Sequence, residues 1–411
     1  MATGKMNSEL NLKNNGALLT VLLIVFVDIL GFTIMIPLLP FYAESLGATP
    51  FQIGMLSSIY GFCSLIAGPI LGDFSDRFGR RKILLISQIG SCLGFIILAF
   101  SNTLWIVFLS RIIDGVTAGN LTVAQAYISD VTKPQQRTRA MGLIGASFGL
   151  GFIIGPALSG LLSHFGHTAP IWASAVLSFL SIIGTFLFLK EVSNKAHDQS
   201  GMNGPVAHVK KLITLFKTPA LKNCFILFFI FSFSFSLYMS GLPLYCERIL
   251  RWKGKYFTVI EVGILFSYIG LVALSIQILG LNHMVKKLGE MKVMLIGFSA
   301  TCIAFLSLSN TFYLPFFLLA ITVNTFGNAI LRPAISGMLS QYASPKQQGL
   351  VFGLNQTLMS IAQIICPLIS GFFIEKNWLL YWCLLISFTS FLGVIFGKLT
   401  SKKILAHQAS L

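Results

Sequence analysis

Charged residues are scarce in this sequence, and acidic residues are the scarcest. Only 10% of the residues are charged, whereas about a quarter are charged in an average soluble domain. Hydrophobic residues make up 55% of the chain, and the mean hydropathy is +0.82. Such an apolar chain cannot form a water-exposed surface over its whole length. The composition therefore predicts a protein that crosses a membrane many times.

The sequence also lacks the residue patterns of disulfide frameworks, metal centres and active sites. Its seven cysteines are scattered through apolar runs with no close pair, which is typical of small buried side chains. No serine–histidine–acid set, cluster of metal ligands or phosphate-binding loop stands out. We therefore expect no metal and no cofactor, and we do not expect an enzyme.

The few charges are unequal in sign, with 13 Asp and Glu against 29 Lys and Arg and a net charge of +16. The basic residues lie in short segments between apolar runs, a distribution that orients membrane proteins and does not form a phosphate-binding face. Nucleic acid is therefore not an expected partner. The side that is richer in Lys and Arg is cytoplasmic, and it receives both termini and the segment 190–220.

Twelve apolar runs are long enough to cross a bilayer, for which a helix needs about 20 residues. Six precede the polar segment 190–220 and six follow it. The predicted spans lie near 17–41, 52–71, 83–101, 104–126, 140–162, 169–189, 221–246, 260–281, 292–309, 312–340, 350–373 and 378–397. The expected fold class is an all-α membrane protein with twelve transmembrane helices in two six-helix parallel repeats.

These spans divide the chain into five parts. They are a cytoplasmic N-terminal tail at 1–16, an N-terminal six-helix bundle at 17–189, a cytoplasmic linker at 190–220, a C-terminal six-helix bundle at 221–397 and a cytoplasmic C-terminal tail at 398–411. The linker ends in Val206–Pro219, where apolar residues alternate with lysines. We expect this amphipathic stretch to lie on the membrane surface.

The two halves repeat each other in the same orientation. The segment 134–136 is followed by Pro156 in the first half, and the segment 345–348 is followed by Pro367 in the second, at a nearly constant offset. Parallel repeats are typical of secondary transporters whose substrate site lies between the halves, near the middle of the membrane. The repeat therefore predicts a central site between the two bundles.

A dense charge cluster, Gly72–Lys82, separates the second and third spans. Charges cannot lie in hydrocarbon, so this stretch is predicted to form a tight turn at the membrane surface, with Gly72 and Gly79 allowing the chain to reverse. A simpler interpretation is a positive loop that only orients the protein. The candidate cytoplasmic gate residues are Gly72, Asp73, Asp76, Arg77, Gly79, Arg80 and Arg81.

Small residues crowd the fifth span, where Gly151, Gly155, Pro156 and Gly160 follow one another at short spacing. Glycines in a membrane helix let neighbouring backbones approach closely, so close packing is one explanation of the pattern. A nucleotide-binding glycine loop is not predicted, because no strand precedes the pattern.

Three ionisable residues lie deep in the first half: Asp28 in the first span and Arg111 and Asp114 in the fourth. An ionisable group inside a bilayer is costly unless it is paired or faces water, so a functional role is the default. Two acids share one base here, and burial disfavours the charged form of the acid that lacks a counter-charge. We expect the three residues to couple transport to protons. The alternative is that Arg111 neutralises the acids for structural reasons only.

The second half has few deep polar residues, and Arg332 is the exception among the charges. Its long side chain either lines a central cavity or extends to the cytoplasmic surface. The candidate cavity residues are Asn324, Asn328, Arg332, Asn355, Gln356 and Gln363.

These motifs together resemble the major facilitator superfamily, and within it the tetracycline-efflux-like branch of the drug:proton antiporter group. The resemblance rests on Asp28–Pro40, Gly72–Lys82, Arg111, the glycine–proline pattern of the fifth span and Pro333–Gly349. It implies that Asp76 and Arg80 belong to a cytoplasmic gate. It also implies a role for Arg111 in proton coupling and a substrate or proton site at Asp28.

The fifth span is similar to a motif associated with antiporters, as distinct from uniporters and symporters, so the resemblance implies exchange. The sequence departs from the tetracycline exporters at two positions. Tetracycline exporters carry membrane-embedded acids in the third and ninth spans, whereas the corresponding positions here are near Gly94 and Thr301, and neither predicted span contains a carboxylate.

We therefore expect a proton-coupled secondary transporter that exports a small amphipathic compound by alternating access, as in multidrug or tetracycline-like efflux. Its expected partners are a small-molecule substrate, protons and the lipid bilayer, and it is expected to be a monomer in the bacterial inner membrane. The alternatives are a major facilitator transporter for a metabolite or a siderophore in either direction, a membrane enzyme, and a receptor that binds without transport.

Overall fold

Twelve apolar helical spans, each long enough to cross a membrane, dominate the part of the chain that the structure describes. The computed structural model describes residues 16–132, 134–191, 219–309, 313–343 and 348–409. In hydrocarbon each backbone N–H and C=O must find its partner within the protein, which is why apolar runs of this length form helices. The predicted number of spans and the all-α fold class are confirmed.

Seven helices make up the described N-terminal half, because its fourth span is broken. They are α1 (Gly16–Ser45), α2 (Pro50–Phe78), α3 (Arg80–Ala99), α4 (Leu104–Val116), α5 (Asn120–Val131), α6 (Pro134–Leu162) and α7 (Ala169–Phe188). α4 and α5 together form the fourth span, and the break between them was not predicted. A short 3₁₀ turn, Ser163–Phe165, follows α6.

The described C-terminal half also contains seven α-helices. They are α8 (Pro219–Ile249), α9 (Val259–Ser275), α10 (Leu281–Leu288), α11 (Glu290–Leu308), α12 (Leu314–Tyr342), α13 (Gln348–Glu375) and α14 (Leu379–Ala409). A π-helical turn, Ile276–Gly280, joins α9 to α10 within the eighth span. After α8, strand β1 (Arg251–Trp252) pairs antiparallel with strand β2 (Lys255–Tyr256) in a small hairpin.

Two helices begin at threonine capping boxes, at equivalent places in the two halves. Thr49 precedes α2 and Thr258 precedes α9, and each side chain accepts a hydrogen bond from the first turn. Gln52 and Glu261 complete the boxes by accepting the backbone N–H of the capping threonine. These caps satisfy the free N–H groups that would otherwise destabilise the helix starts.

The predicted C-terminal tail and the predicted linker are only partly covered by the described residues. The final helix continues to Ala409, so most of the segment 398–411, expected as a tail, is helical. Residues 192–218 lie outside the described residues, and so does the predicted amphipathic stretch Val206–Pro219 apart from its last residue.

The apolar core is divided differently at the two ends of the helices. We call the end near residues 46–49, 163–168 and 250–258 the outer end, following the predicted orientation. At the inner end each half has its own cluster. The N-terminal one includes Val21, Ile24, Ile83, Leu84 and Ile128. The C-terminal one includes Leu221, Val293, Met294, Leu339 and Val351.

At the outer end one cluster, the shared outer core, combines residues of both halves, and a further cluster of the C-terminal half, which includes Leu308, Phe317 and Trp382, lies at the same end. The shared outer core includes Ile34, Leu38, Ile171, Leu244, Val259 and Ile374. Among the described residues the halves therefore share apolar packing at the outer end and have separate apolar clusters at the inner end.

Candidate functional site

The two halves meet where α2 packs against α13. Gly54 faces the backbone of Pro367 and Gly371 faces the backbone of Pro50, so closely that a side chain at either glycine would overlap its neighbour. Ser58 Oγ also donates a hydrogen bond of 2.6 Å to the carbonyl oxygen of Ile364. Small residues thus allow two membrane helices to pack backbone to backbone.

The second contact between the halves joins α6 to α9. Gly160 of α6 faces Ile260, and Gly263 of α9 faces the backbone of Pro156. Ser267 Oγ adds a hydrogen bond of 2.9 Å to the carbonyl oxygen of Ile153. Together with the shared outer core, these contacts close the protein at its outer end.

Two polar contacts also join the halves at the outer end. In the first, Arg248 Nη2 donates to Glu44 Oε1 of the other half at 2.7 Å, while Arg248 Nη1 donates to Glu247 Oε2 of its own helix at 3.2 Å. Glu375 Oε2 accepts the backbone N–H of Phe51 at 3.1 Å, where α2 begins. A carboxylate is favourable there because the first turn of a helix presents free N–H groups.

Deeper in the N-terminal half, Arg111 and Asp114 form a buried ion pair. Arg111 Nη1 lies 3.3 Å from Asp114 Oδ2, as expected for residues one helical turn apart in α4. The Nε and Nη2 atoms of Arg111 have no hydrogen-bond partner among the described residues. The guanidinium group lies over the ring of Phe95, 5.9 Å from its centroid. Arg111 therefore keeps unused donors beside the pair.

Asp28 lies near this pair without a cationic partner among the described residues. Its Oδ2 atom is buried and has no hydrogen-bond partner there, while the side chain of Asn120 approaches the same carboxyl group. Asp28 is close enough to Asp114 to interact with it electrostatically, and Tyr60 interacts with both acids. The predicted residues are thus grouped in space, but the ion pair joins Arg111 to Asp114 and not to Asp28.

The break in the fourth span lies between this cluster and the inner end. Ser87 of α3 donates a hydrogen bond to the carbonyl oxygen of Thr117 and accepts the backbone N–H of Gly119 at 3.0 Å. A broken helix leaves backbone groups that must be satisfied inside a membrane protein. Ser87, from a neighbouring helix, supplies a partner for the carbonyl group of Thr117 and for the N–H group of Gly119.

The predicted turn at Gly72–Lys82 is shorter than expected, which corrects the role assigned to Gly72. α2 continues to Phe78 and α3 begins at Arg80, so only Gly79 lies between them, with φ of 104°. Glycine is favoured there because side chains rarely tolerate this backbone conformation. Gly72 lies inside α2 and packs against Thr122 of α5.

The charges of this segment pair within the N-terminal half. Arg80 is buried and pairs with Asp76 and with Asp130 of α5, the latter at 2.9 Å between Nε and Oδ2. It also donates to Ser75 Oγ at 2.7 Å. Asp73 and Arg77 form an exposed pair at 3.0 Å.

The neighbouring Arg81 contacts α7. Its Nη2 atom donates to the carbonyl oxygen of Phe186 at 2.5 Å, and its guanidinium lies 5.4 Å from the ring centroid of the same residue. No ion pair between the halves is found at the inner end in the described part of the chain. The candidate gate residues are therefore assembled, but on one half only.

The glycine pattern of α6 packs against two helices. Gly151 faces Ile29 and Gly155 faces Thr33, both in α1, and Thr33 Oγ1 donates to the carbonyl oxygen of Gly151 at 2.9 Å. Gly160 faces the other half, as described above. The pattern therefore joins α6 to its own half and to the opposite half.

The candidate cavity residues of the C-terminal half differ in exposure. Asn324 is fully buried, and Asn328 Nδ2 donates to its Oδ1 at 2.8 Å. Arg332, one turn further along α12, is exposed. In α13, Asn355 is buried, Gln363 is partly buried and Gln356 is exposed.

Several residues of these sites were missed by the sequence analysis. Glu44 and Arg248 are charges at helix ends, and nothing in their spacing pairs them, because 204 residues separate them. Asp130 follows the predicted fourth span, and nothing in its spacing pairs it with Arg80, because 50 residues separate them. Tyr60 and Asn120 are polar residues within apolar runs, a signal that can be recognised in sequence and was not used.

Comparison with known proteins agrees with this architecture. The chain is 31% identical over 356 residues to the class B tetracycline resistance protein of Escherichia coli, covering 85% of this chain and 86% of that protein. It is 28% identical over 357 residues to multidrug resistance protein 2 of Bacillus subtilis (strain 168), covering 86% and 87%. Its fold is similar to that of the nucleoside transporter NupG, with a TM-score of 0.78 at 16% identity, over 93% of this chain and 99% of that one.

The family match extends through both halves. Residues 21–281 and 256–406 match the family described as Major Facilitator Superfamily. With its twelve spans and its relatives at this level of identity, the protein is a multi-pass membrane transporter, and the chain belongs to the Major Facilitator Superfamily.

Proposed function

We propose that this protein exports a small amphipathic compound in exchange for protons, by alternating access. The relatives named for tetracycline resistance and multidrug resistance support efflux. The observation that carries the proposal is Asp28, a carboxyl group with a buried, unpartnered oxygen beside the Arg111–Asp114 pair. The site of action is the plasma membrane of a bacterium, and the transporting unit is the single chain.

Asp28 carries the proton in this mechanism. In the outward-facing state it takes up a proton, because its carboxyl group lacks a permanent counter-charge. In the inward-facing state it releases the proton, and the carboxylate then attracts either the free donors of Arg111 or a cationic group of the substrate. Coupling requires that the two states differ in proton affinity, since equal affinity would shift nothing.

The closed outer end corresponds to the inward-facing state of this cycle. The shared outer core and the Glu44–Arg248 pair seal the outer side. The separate inner clusters are consistent with access from the cytoplasm. In the opposite state the gate residues Asp76 and Arg80 hold the inner ends together.

The proposed substrate is an amphipathic compound other than tetracycline. Gly94 and Thr301 stand near the positions where the resemblance to tetracycline exporters implies membrane-embedded carboxylates. Gly94 packs against Asp114, and Thr301 is buried in α11. Neither position carries a carboxylate, which favours a different substrate from tetracycline.

Transport direction and coupling are tested together in membrane vesicles with norfloxacin and ethidium as probes. Everted vesicles acidified inside by respiration are expected to accumulate probe, and nigericin, which collapses the pH gradient, is expected to release it. Right-side-out vesicles are expected not to accumulate it. Accumulation in right-side-out vesicles, or accumulation that nigericin leaves unchanged, would overturn the proposal.

The residue assignment is tested with Asp28→Asn. This variant is expected to lose uphill accumulation while its probe affinity stays within about tenfold of the wild type, a change below about 1.4 kcal/mol. Glu261→Gln, which alters an acid at the outer end of α9, is the control and should remain coupled. Coupled transport by Asp28→Asn would move the assignment to Asp114. Coupling in both Asn variants would place the proton route outside this cluster.

A further inference from the structure

Arg332 is a cation inside the membrane region of the C-terminal half. It precedes the last residue of α12, Tyr342, by ten residues, which is about 15 Å along a helix. Arg332 therefore lies within the apolar span Leu314–Tyr342, more than two helical turns from its inner end.

The surroundings of Arg332 favour a space between helices over a lipid-facing position. The side chain is accessible to solvent, yet protein surrounds it almost as completely as an interior residue. It follows Asn324 and Asn328 at intervals of four residues along one polar face of α12. Asn324 on this face is fully buried and approaches Tyr238 of α8. An accessible residue on such a face lines a space between helices.

Arg332 has no counter-charge in the described part of the chain. No carboxylate pairs with it and none interacts with it electrostatically. In contrast, Arg80, Arg111 and Arg248 each pair with at least one acid. An unpaired cation in the membrane is costly, so its presence in a cavity calls for a partner that comes from outside the protein.

On the basis of the proposed function, we propose that Arg332 binds an anionic group of the transported compound. The substrate class is then an amphipathic compound that carries a carboxylate or a comparable oxyanion. A guanidinium presents two parallel N–H donors that match the two oxygens of a carboxylate. Such a compound enters through the inner end, where the halves have separate cores, and its anionic end meets α12 while the rest of it faces the N-terminal half.

The test compares three related fluorescent probes that differ in which charged groups they carry. Norfloxacin carries a carboxylate and an ammonium group, its ethyl ester keeps only the ammonium group, and N-acetylnorfloxacin keeps only the carboxylate. Binding to the purified full-length protein in lipid nanodiscs is measured by fluorescence anisotropy. The wild type is expected to bind both carboxylate probes more tightly than the ester.

Arg332→Gln is expected to weaken binding of both carboxylate probes by about tenfold or more, the usual loss for a charge-assisted hydrogen bond, and to leave the ester unchanged. Arg332→Lys keeps the charge but not the paired donors, so its loss should be intermediate. Arg251→Gln is the matched control, because Arg251 is an exposed arginine in the outer hairpin and contacts Tyr256. Thermal unfolding of each variant shows that the fold is intact.

Three results would overturn this assignment: equal losses for all three probes in Arg332→Gln, no loss for any of them, or wild-type protein that binds the carboxylate probes no better than the ester. Failure of the proposed function would give a different experimental result. Charge selectivity at Arg332 combined with no pH-driven accumulation in vesicles would retain the anion site and remove the export mechanism. Export that persists without charge selectivity would retain the export mechanism and remove the anion site.

Discussion

Arg248 Nη2 lies 2.7 Å from Glu44 Oε1, and this ion pair joins the last turn of α8 to the last turn of α1. The two residues belong to different halves of the protein. Their side chains are 27% and 18% exposed, so the pair is partly shielded from water. In an alternating-access cycle this contact exists only while the outer end is closed.

Arg248→Gln should therefore shift the protein towards the state that is open at the outer end. An ion pair of this exposure contributes about 1 kcal/mol, which corresponds to roughly a fivefold change in the ratio of the two states. Nitroxide labels on Asn102 and Lys376, exposed positions of the two halves at the outer end, report the change as a longer distance in pulsed electron resonance. The labels require a background without the seven native cysteines.

Arg251→Gln is the control for this shift, because Arg251 lies on the same side and contacts only its own hairpin among the described residues. Its distance distribution should match that of the unsubstituted protein. Identical distributions for Arg248→Gln and Arg251→Gln would show that the ion pair does not bias the outer end.

Asp76→Asn should insert normally in the membrane and transport poorly. Arg80 pairs with both Asp76 and Asp130, and loss of one charge-assisted contact removes about 1.5 to 3 kcal/mol, or roughly a tenfold or greater change in an equilibrium that depends on it. Transport in vesicles, normalised to the amount of protein, measures the effect. Lys82→Gln changes an exposed charge of the same segment that pairs with neither Asp76 nor Asp130, and it should transport normally. Full transport by Asp76→Asn would reduce this cluster to a signal for membrane orientation.

Gly155→Ala should destabilise the N-terminal half. A methyl group at Gly155 would overlap the side chain of Thr33 and press on the backbone of Ile34, so α6 and α1 must separate, at a cost of about 1 to 3 kcal/mol. Thermal unfolding in detergent measures the loss. Gly145→Ala, in the same helix, meets no atom within 4 Å and should leave the unfolding temperature nearly unchanged. Equal unfolding temperatures for the two variants would contradict the close packing of α6 on α1.

The membrane orientation is tested with alkaline phosphatase, which is active only outside the cytoplasm. A fusion after Leu411 should be inactive, because the Lys and Arg distribution places the C-terminus in the cytoplasm. A fusion after Trp252, in the hairpin that follows α8, should be active. Activity after Leu411 together with inactivity after Trp252 would show that the orientation is opposite to the predicted one.

Apolar length and charge distribution were sufficient to predict the twelve spans, because each span satisfies its backbone within itself. The Arg111–Asp114 pair was also predictable, since residues three apart on a helix lie on one face. Gly72 was assigned wrongly to a turn because a charged stretch was assumed to interrupt the helix. A helix that emerges from hydrocarbon can continue through charges, and Asp73 and Arg77 pair one turn apart along it.

Contacts between the halves were not predictable from one sequence. Glu44 meets Arg248, and Phe51 meets Glu375, across separations that local spacing does not encode. Which oxygen of Asp28 lacks a partner likewise depends on how α1, α4 and α5 pack, and not on the first span alone.

The break in the fourth span acts as a joint between two sets of charges. Arg111 and Asp114 lie on its outer side in α4, whereas Asp130, which holds Arg80, lies on its inner side in α5. Bending at Thr117–Gly119 would tilt α5 relative to α4 and alter the reach of Asp130 towards Arg80. Such a bend would connect the surroundings of Asp28 to the inner ion pairs, and Ser87, which hydrogen-bonds to the backbone of Thr117 and Gly119, lies at the point of bending.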